Sequence, residues 1–292
     1  MSRIKEIEAK TLLSHHKEPD PWFGIKYGMN LYRGCQHRCI YCDSRSLCYG
    51  VEDFDREVLV KTNAIEKLEK ELASKRVKGT VGTGSMNDPY MPIEKKLNLT
   101  GRALKIIAAL RFPVHVITKS NLVLKDLETL QQINQVYAAV SFSITTSDDT
   151  LAKKVEPGAP PTSARLAAMA ELASHGILTG VTMMPILPFI EDNKENVTEI
   201  IKKATENGAS YIIPWFGMSM RDRQRDYFYE QLDRHFPGMK EKYQQRYGQN
   251  YGCPTPNANH LQQVFDQTCQ QYNMPARMPF YQKDAAEQLQ MF

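Results

Sequence analysis

Four of the six cysteines in this chain fall within fourteen residues, in the stretch LYRGCQHRCIYCDSRSLCYG at 31–50. Cys35, Cys39 and Cys42 form a C-x3-C-x2-C triplet, a short mixed spacing that lets three thiolates converge from one loop. Gly34 precedes them, where a side chain would crowd the turn out of the preceding strand. A structural zinc site wants four ligands, usually as two C-x2-C knuckles or with paired histidines, and no second knuckle follows. A disulfide fits poorly here. The N-terminus, MSRIKEIEAKTLLSHHKEPDPW, is charged throughout and lacks the apolar core of a signal peptide. Iron–sulfur clusters are usually held by four cysteines. A cubane held by three leaves one iron open, much as catalytic zinc sites keep one open position. Cys48, six residues beyond Cys42, reads as an ordinary cysteine of the following segment, and His37 as a polar surface residue. The alternative from another class is a non-catalytic iron–sulfur or zinc protein with a redox or binding role.

The chain that must position these thiols has 292 residues, 42% hydrophobic and 24% charged. That is enough to bury a core without metal or disulfide staples. The net charge of +4 permits an anionic partner without requiring one. No apolar run approaches a membrane span, and a cytoplasmic, monomeric protein is expected. Short β-branched runs alternate with amphipathic stretches. Strands are predicted at 28–34, 77–84, 113–120, 136–145, 177–187 and 209–217, and helices at 62–75, 96–110, 124–133, 162–175 and 193–207. This alternation predicts βαβ units around a parallel sheet. Periodicity leaves open whether the six units form an open doubly wound sheet or a barrel. Past residue 217 the pattern becomes helical, broken at Pro237-Gly238 and by a turn at 252–256.

Further polar groups stand where the predicted strands end. In GTGSMNDPY, Gly82 and Gly84 would let backbone approach a ligand, or Asp88 would simply cap a turn. Lys119 ends the third strand. Ser141, Ser143 and Thr145 share one face of the fourth. Glu156 and Arg165 flank a Pro-rich loop, as ligand contacts or as a surface pair of little worth. Met184, Pro185 and Pro188 are expected to wall a site at the end of the fifth strand.

With Tyr41 just before its last cysteine, the triplet resembles the signature of the radical S-adenosylmethionine (radical SAM) enzymes. The resemblance implies a partial (β/α)6 TIM-type barrel over 25–217, an N-terminal extension at 1–24 and a C-terminal helical cap at 218–292. It implies a [4Fe-4S] cluster on Cys35, Cys39 and Cys42, with S-adenosyl-L-methionine (SAM) at the open iron. Reduction by a flavodoxin- or ferredoxin-type donor would yield a 5′-deoxyadenosyl radical that abstracts hydrogen from a substrate. The segments GTGSMNDPYMPIE (82–94), ITKSNLVLKDLETL (117–130), SFSITTSDD (141–149), EPGAPPTSARL (156–166) and MPILPFIED (184–192) are similar to the spore photoproduct lyase-like branch. That likeness implies SAM contacts for Tyr41, Gly84, Ser85, Asp88, Lys119, Ser143 and Arg165, with Lys119 at the carboxylate. It also marks departures. Ser85 stands where the lyase has its hydrogen-donating cysteine, and Asp43 where the lyase has a tyrosine. A serine O–H is a far poorer hydrogen donor than a thiol, so the lyase's own reaction is not expected. Cys253, in a turn, is the candidate substitute donor; Cys269, in a predicted helix, is expected to be a packing residue.

Whether the substrate is a small molecule or a nucleic acid turns on the tail. MRDRQRDYFYEQLDRHF interleaves Arg221, Arg223 and Arg225 with Tyr227, Phe228 and Tyr229, the combination single-stranded binding requires. Asp222, Asp226, Glu230 and Asp233 cancel much of that charge. An amphipathic helix with solvated salt bridges is therefore the preferred reading, and nucleic-acid lesion repair or modification the alternative.

Overall fold

The computed structural model describes residues 3–54 and 56–283. The ends of the two flanking segments, 1–2 and 284–292, lie outside the described residues. In chain order the elements are β1 (Arg3–Ile7), β2 (Leu13–His15), β3 (Ile25–Met29), β4 (Tyr32–Arg33), β5 (Glu57–Lys61), α1 (Ala64–Ala73), β6 (Thr80–Thr83), α2 (Glu94–Leu97) and α3 (Leu99–Ala109). There follow β7 (Val114–Thr118), α4 (Leu127–Asn134), β8 (Ala138–Ser143), α5 (Asp149–Val155), α6 (Thr162–Ser174), β9 (Leu178–Ile186), α7 (Lys194–Glu206) and β10 (Ile212–Ser219). The tail supplies α8 (Asp222–His235), α9 (Met239–Tyr247), β11 (Gly252–Pro254) and α10 (Ala258–Gln271).

The main sheet runs β2-β3-β6-β7-β8-β9-β10-β11. Its six central strands pair in parallel, each beside the one before it in the chain. An open doubly wound sheet reverses its order at a switch point. This one never does, so the units wind in one sense as a partial (β/α)6 barrel. Central strand β8 is buried at every position, as expected where one face lies under the helices and the other fills the barrel interior. The helices supply complementary stripes; α1, for example, buries Ala64, Leu68 and Leu72 at four-residue spacing.

Two predicted features differ. The run at 28–34 is two strands, because β3 ends at Met29 and β4 joins a separate three-stranded sheet with β5 and β1. Leu31 and Tyr32, consecutive and both buried, mark the switch between the two sheets. The turn at 252–256 holds β11, whose Cys253 pairs antiparallel with Met218 of β10. The N-terminal segment is likewise built into the sheets: β1 pairs with β5 and β2 with β3.

The tail helices are not a solvated amphipathic pair. Phe228, Tyr243 and Tyr247 form a core with Ile40, Tyr41 and Leu187, so the tail packs onto the cysteine loop. Arg221 pairs with Asp43 and donates to Tyr251 Oη, while Arg223 and Arg225 bind backbone. Arg223 reaches the carbonyls of Arg45, Val51 and Glu52, and Arg225 those of Met220, Gly248, Gln249 and Asn250. Stacking aromatics and phosphate-ready cations are therefore spent on structure. Arg225→Met strands those carbonyls and is expected to cost roughly 2–3 kcal/mol, with no effect on affinity for a single-stranded oligonucleotide. Urea melts and fluorescence anisotropy check the two halves of that expectation.

Beneath the barrel mouth, His115 is fully buried, its Nε2 sharing a hydrogen bond with Ser141 Oγ at 2.7 Å, and Ser141 in turn meeting Tyr211 Oη at 2.6 Å. Burial pushes the imidazole down to about 3. The unfolded chain takes up this proton near the ordinary value of 6.5, the folded chain near 3. Stability is therefore lost as pH falls through that window, by about 1.4 kcal/mol per pH unit. His115→Gln is expected to flatten the decline in Tm between pH 6.5 and 5, measured by circular dichroism.

Candidate active site

Gly34 leaves β4 with φ +80° and starts the cysteine loop, which carries two short 3-10 turns at Asp43–Arg45 and Leu47–Tyr49. The loop is fastened to the barrel from three sides. Ile40 N donates to Val155 O at 2.9 Å, Gly158 N to His37 O at 2.8 Å, and Ser44 Oγ to Met86 O at 2.8 Å. The Pro-rich loop therefore serves as a clamp on the cysteine loop. Cys35, Cys39 and Cys42 all line one cavity of about 190 Å³. Its other walls are the C-terminal ends of β6 through β10: Gly84 to Asp88, Ile117 to Lys119, Ser143, Pro185, and Trp215 with Met218 and Ser219.

Burial pushes all three thiols up, Cys35 to about 12. They become thiolates only against a positive centre. Among the described residues no three His, Cys, Asp or Glu side chains are grouped to hold a single metal ion. Cys48 is exposed, meets Ser46 Oγ at 3.2 Å, and does not line the cavity. Nor does Cys253, which is buried among Tyr243, Tyr247 and Met218, its thiol pushed up to about 11 by burial. Cys269 is a core residue of α10.

Behind the cavity lies a buried charge network where the sequence allowed either ligand contacts or a surface pair. Glu156 and Arg165 are each 1% exposed and pair at 2.6 Å. Tyr41 Oη donates to Glu156, and Lys119 Nζ stands 3.9 Å from it. Burial alone would raise the Glu156 carboxyl, but Arg165, Lys119 and the Tyr41 hydroxyl outweigh it and hold the group below its ordinary value. Arg165 also donates to Ser143 O at 2.8 Å and Pro160 O at 2.9 Å, so it supports the cavity wall without lining it. Ser143 Oγ accepts from Thr182 at 3.1 Å, and Thr145 donates to the buried Glu191 at 2.8 Å. Neighbouring Ser141 serves the His115 network, leaving Ser143 as the hydroxyl of that row at the cavity.

Asp88 ties β6 to β7. It accepts from Thr118 Oγ1 at 2.7 Å, Lys119 N at 2.6 Å and Tyr90 N at 2.8 Å, and faces His37 Nδ1 at 3.3 Å. Burial works against its charge, but His37 and these donors hold the carboxyl at about 2. His37 is thus buried rather than on the surface; its sequence signal was only its place between two cysteines. Gly84 has φ +103°, and a Cβ there would lie 2.1 Å from Ile117 O. Glycine is required for strand-end packing, and the exposed Ser85 follows it into the cavity wall. Gly82 admits the Ile25 side chain rather than a ligand.

Sequence reasoning missed Trp215. Register shifts at Pro214–Phe216 and Phe216–Gly217 bulge β10 against β9, and Trp215, 42% exposed, lines the cavity there. Pro185 is the member of the expected fifth-strand wall that lines the cavity; Met184 packs elsewhere, and Pro188 O accepts from Tyr243. Asp43 also lines it, held by Arg221 Nε at 3.0 and 3.1 Å.

A family model described as the radical SAM superfamily matches residues 29–204, from the end of β3 into α7. The chain belongs to the radical SAM superfamily. Its relatives include an uncharacterized protein of Mycobacterium tuberculosis, 31% identical over 230 residues, which span 76% of this chain and 67% of that one. Another is an uncharacterized protein of Methanocaldococcus jannaschii, 34% identical over 191 residues, 65% of this chain and 70% of that one. A spore photoproduct lyase complexed with dinucleoside spore photoproduct has the same radical SAM fold, with a TM-score of 0.69 at 16% identity over 92% of this chain and 79% of that one. Among the described residues no helix is long and apolar enough to cross a membrane.

Proposed function

We propose that this radical SAM protein is an enzyme that carries a [4Fe-4S] cluster on Cys35, Cys39 and Cys42 and binds SAM in the cavity they line. The observation that carries this is the placement of three thiols, Cys35 and Cys39 buried and Cys42 half-buried, in one wall of a cavity at the C-terminal ends of the barrel strands. When bound, the pair supplies one-electron cleavage of the sulfonium and a carbon radical able to take hydrogen from a substrate. The chain's own residues place and shield it. Lys119 presents an ammonium to the cavity and is the partner for the SAM carboxylate. The backbone at Gly84 and Ser85 would hold the amino group, and Tyr41 and Ser143, which line the same cavity, would serve its other polar atoms. Asp88 and Arg165 act through the strand ends they hold. Trp215 closes the mouth on the substrate side. Residues 25–217 would be the barrel and the described tail from 218 its cap, with α8, α9 and β11 packed on the cysteine loop.

The hydrogen-donor role considered for Cys253 has no support in its buried position, and nucleic-acid binding loses the tail arginines as its argument. Anaerobic reconstitution with iron and sulfide, followed by dithionite and SAM, is expected to release 5′-deoxyadenosine. A preparation without a cubane signal in electron paramagnetic resonance, or one whose signal ignores SAM, rejects the proposal.

A further inference from the structure

A second cavity, about 440 Å³, opens on the outer side of the cysteine loop. His37 stands in the wall between the two cavities and lines both. Its ring is 1% exposed, and among the described residues neither nitrogen has a hydrogen-bond partner; Nδ1 meets Asp88 as an ion pair at 3.3 Å. Lys95, Lys125 and Lys153 stand around the second cavity, and no carboxylate is among the described residues lining it. Glu94 and Asp126, the acids paired with the rim's Lys125, are buried and also engaged by Tyr32 and Tyr90. Lys95 and Lys153 are exposed, so the face presents positive charge to solvent.

On the proposed function, the first cavity is filled by SAM and substrate, so an electron must reach the cluster from another side. The second cavity meets the cysteine loop at His37, which stands between Cys35 and Cys39 in the sequence. We propose that this lysine-rimmed face docks an acidic one-electron carrier protein, which delivers its electron across the wall that His37 occupies. One electron leaves the carrier's reduced flavin or iron–sulfur group, which is oxidised. The cluster is reduced by one, and no atom or proton changes hands. Charge complementarity selects the partner and speeds its encounter.

The test uses the full-length reconstituted protein, reduced flavodoxin as the carrier, and the double variant Lys95→Glu/Lys153→Glu. Carrier-driven formation of 5′-deoxyadenosine and carrier affinity, measured by biolayer interferometry, are both expected to fall by about tenfold or more at low salt. Dithionite-driven formation is expected to stay at the wild-type rate. A control pair on other helices, Lys105→Glu/Lys202→Glu, is expected to change neither. An equal loss with both reductants, or none with either, overturns the proposal. So does unchanged carrier binding with lost affinity for a single-stranded oligonucleotide, which would assign the face to nucleic acid. If wild-type protein fails with dithionite, the enzymatic reading falls instead, while the binding arm still decides the docking face.

Discussion

Cys39→Ala is expected to lose iron, chromophore and SAM cleavage together. Cys39 sits at the centre of the triplet, buried beside Ile40 and Tyr41 where the tail core meets the cysteine loop. With it gone, two thiols remain on the cavity wall, too few to hold a cubane that leaves one iron open. Wild-type protein should bind about four iron per chain after reconstitution; the variant should fall to background, and 5′-deoxyadenosine with it. Cys48→Ala provides the contrast. It is exposed and outside the cavity, and a surface change of this kind shifts stability by less than about 0.5 kcal/mol and activity by about twofold at most. Iron analysis and product chromatography on the two variants decide the matter. Retained iron in Cys39→Ala would end the three-ligand assignment.

The second large effect is expected at Glu156. Its carboxylate is the counter-charge of Arg165 and stands close to Lys119, all within a buried network. Glu156→Gln keeps the shape but leaves two cations facing a neutral amide. Breaking one side of a buried pair costs roughly 3–5 kcal/mol, on the order of 10 °C in Tm for a chain of this size. Replacing both partners, as Glu156→Gln with Arg165→Met, should recover part of that loss, because the uncompensated charge goes too. Thermal melts of the two single variants and the double variant measure the coupling. Additive losses would mean that the pair does not act as one unit. The same substitution should weaken SAM binding, since Lys119 loses the group that positions it.

The cysteine triplet was legible because its chemistry is local: three ligands on one loop need no knowledge of distant residues. The strand-end residues Lys119, Ser143 and Pro185 were legible because a parallel βαβ chain puts every strand's C-terminal end at one mouth. Helix α5 was overlooked, although Asp148 caps it by accepting from Thr150 N at 2.7 Å. Trp215 was hidden because a bulge is a register event between two strands, and the sequence of one strand does not contain it.

Glu156, Arg165 and His37 show the same limit in electrostatic form. A charged residue in a loop is assumed to be solvated, and only packing reveals that it is buried and paired. The tail arginines reverse the lesson. Their letters suit phosphate, but carbonyls of the cysteine loop and of the segment leading into β11 occupy their donors. The sequence alone determined that three thiols stand together on one loop and that six strands alternate with helices. The tertiary structure decided the strand order, the burial of the charges and the two cavities flanking His37. Those depend on contacts between residues far apart in the chain, where desolvation and pairing set the energy and no local pattern records them.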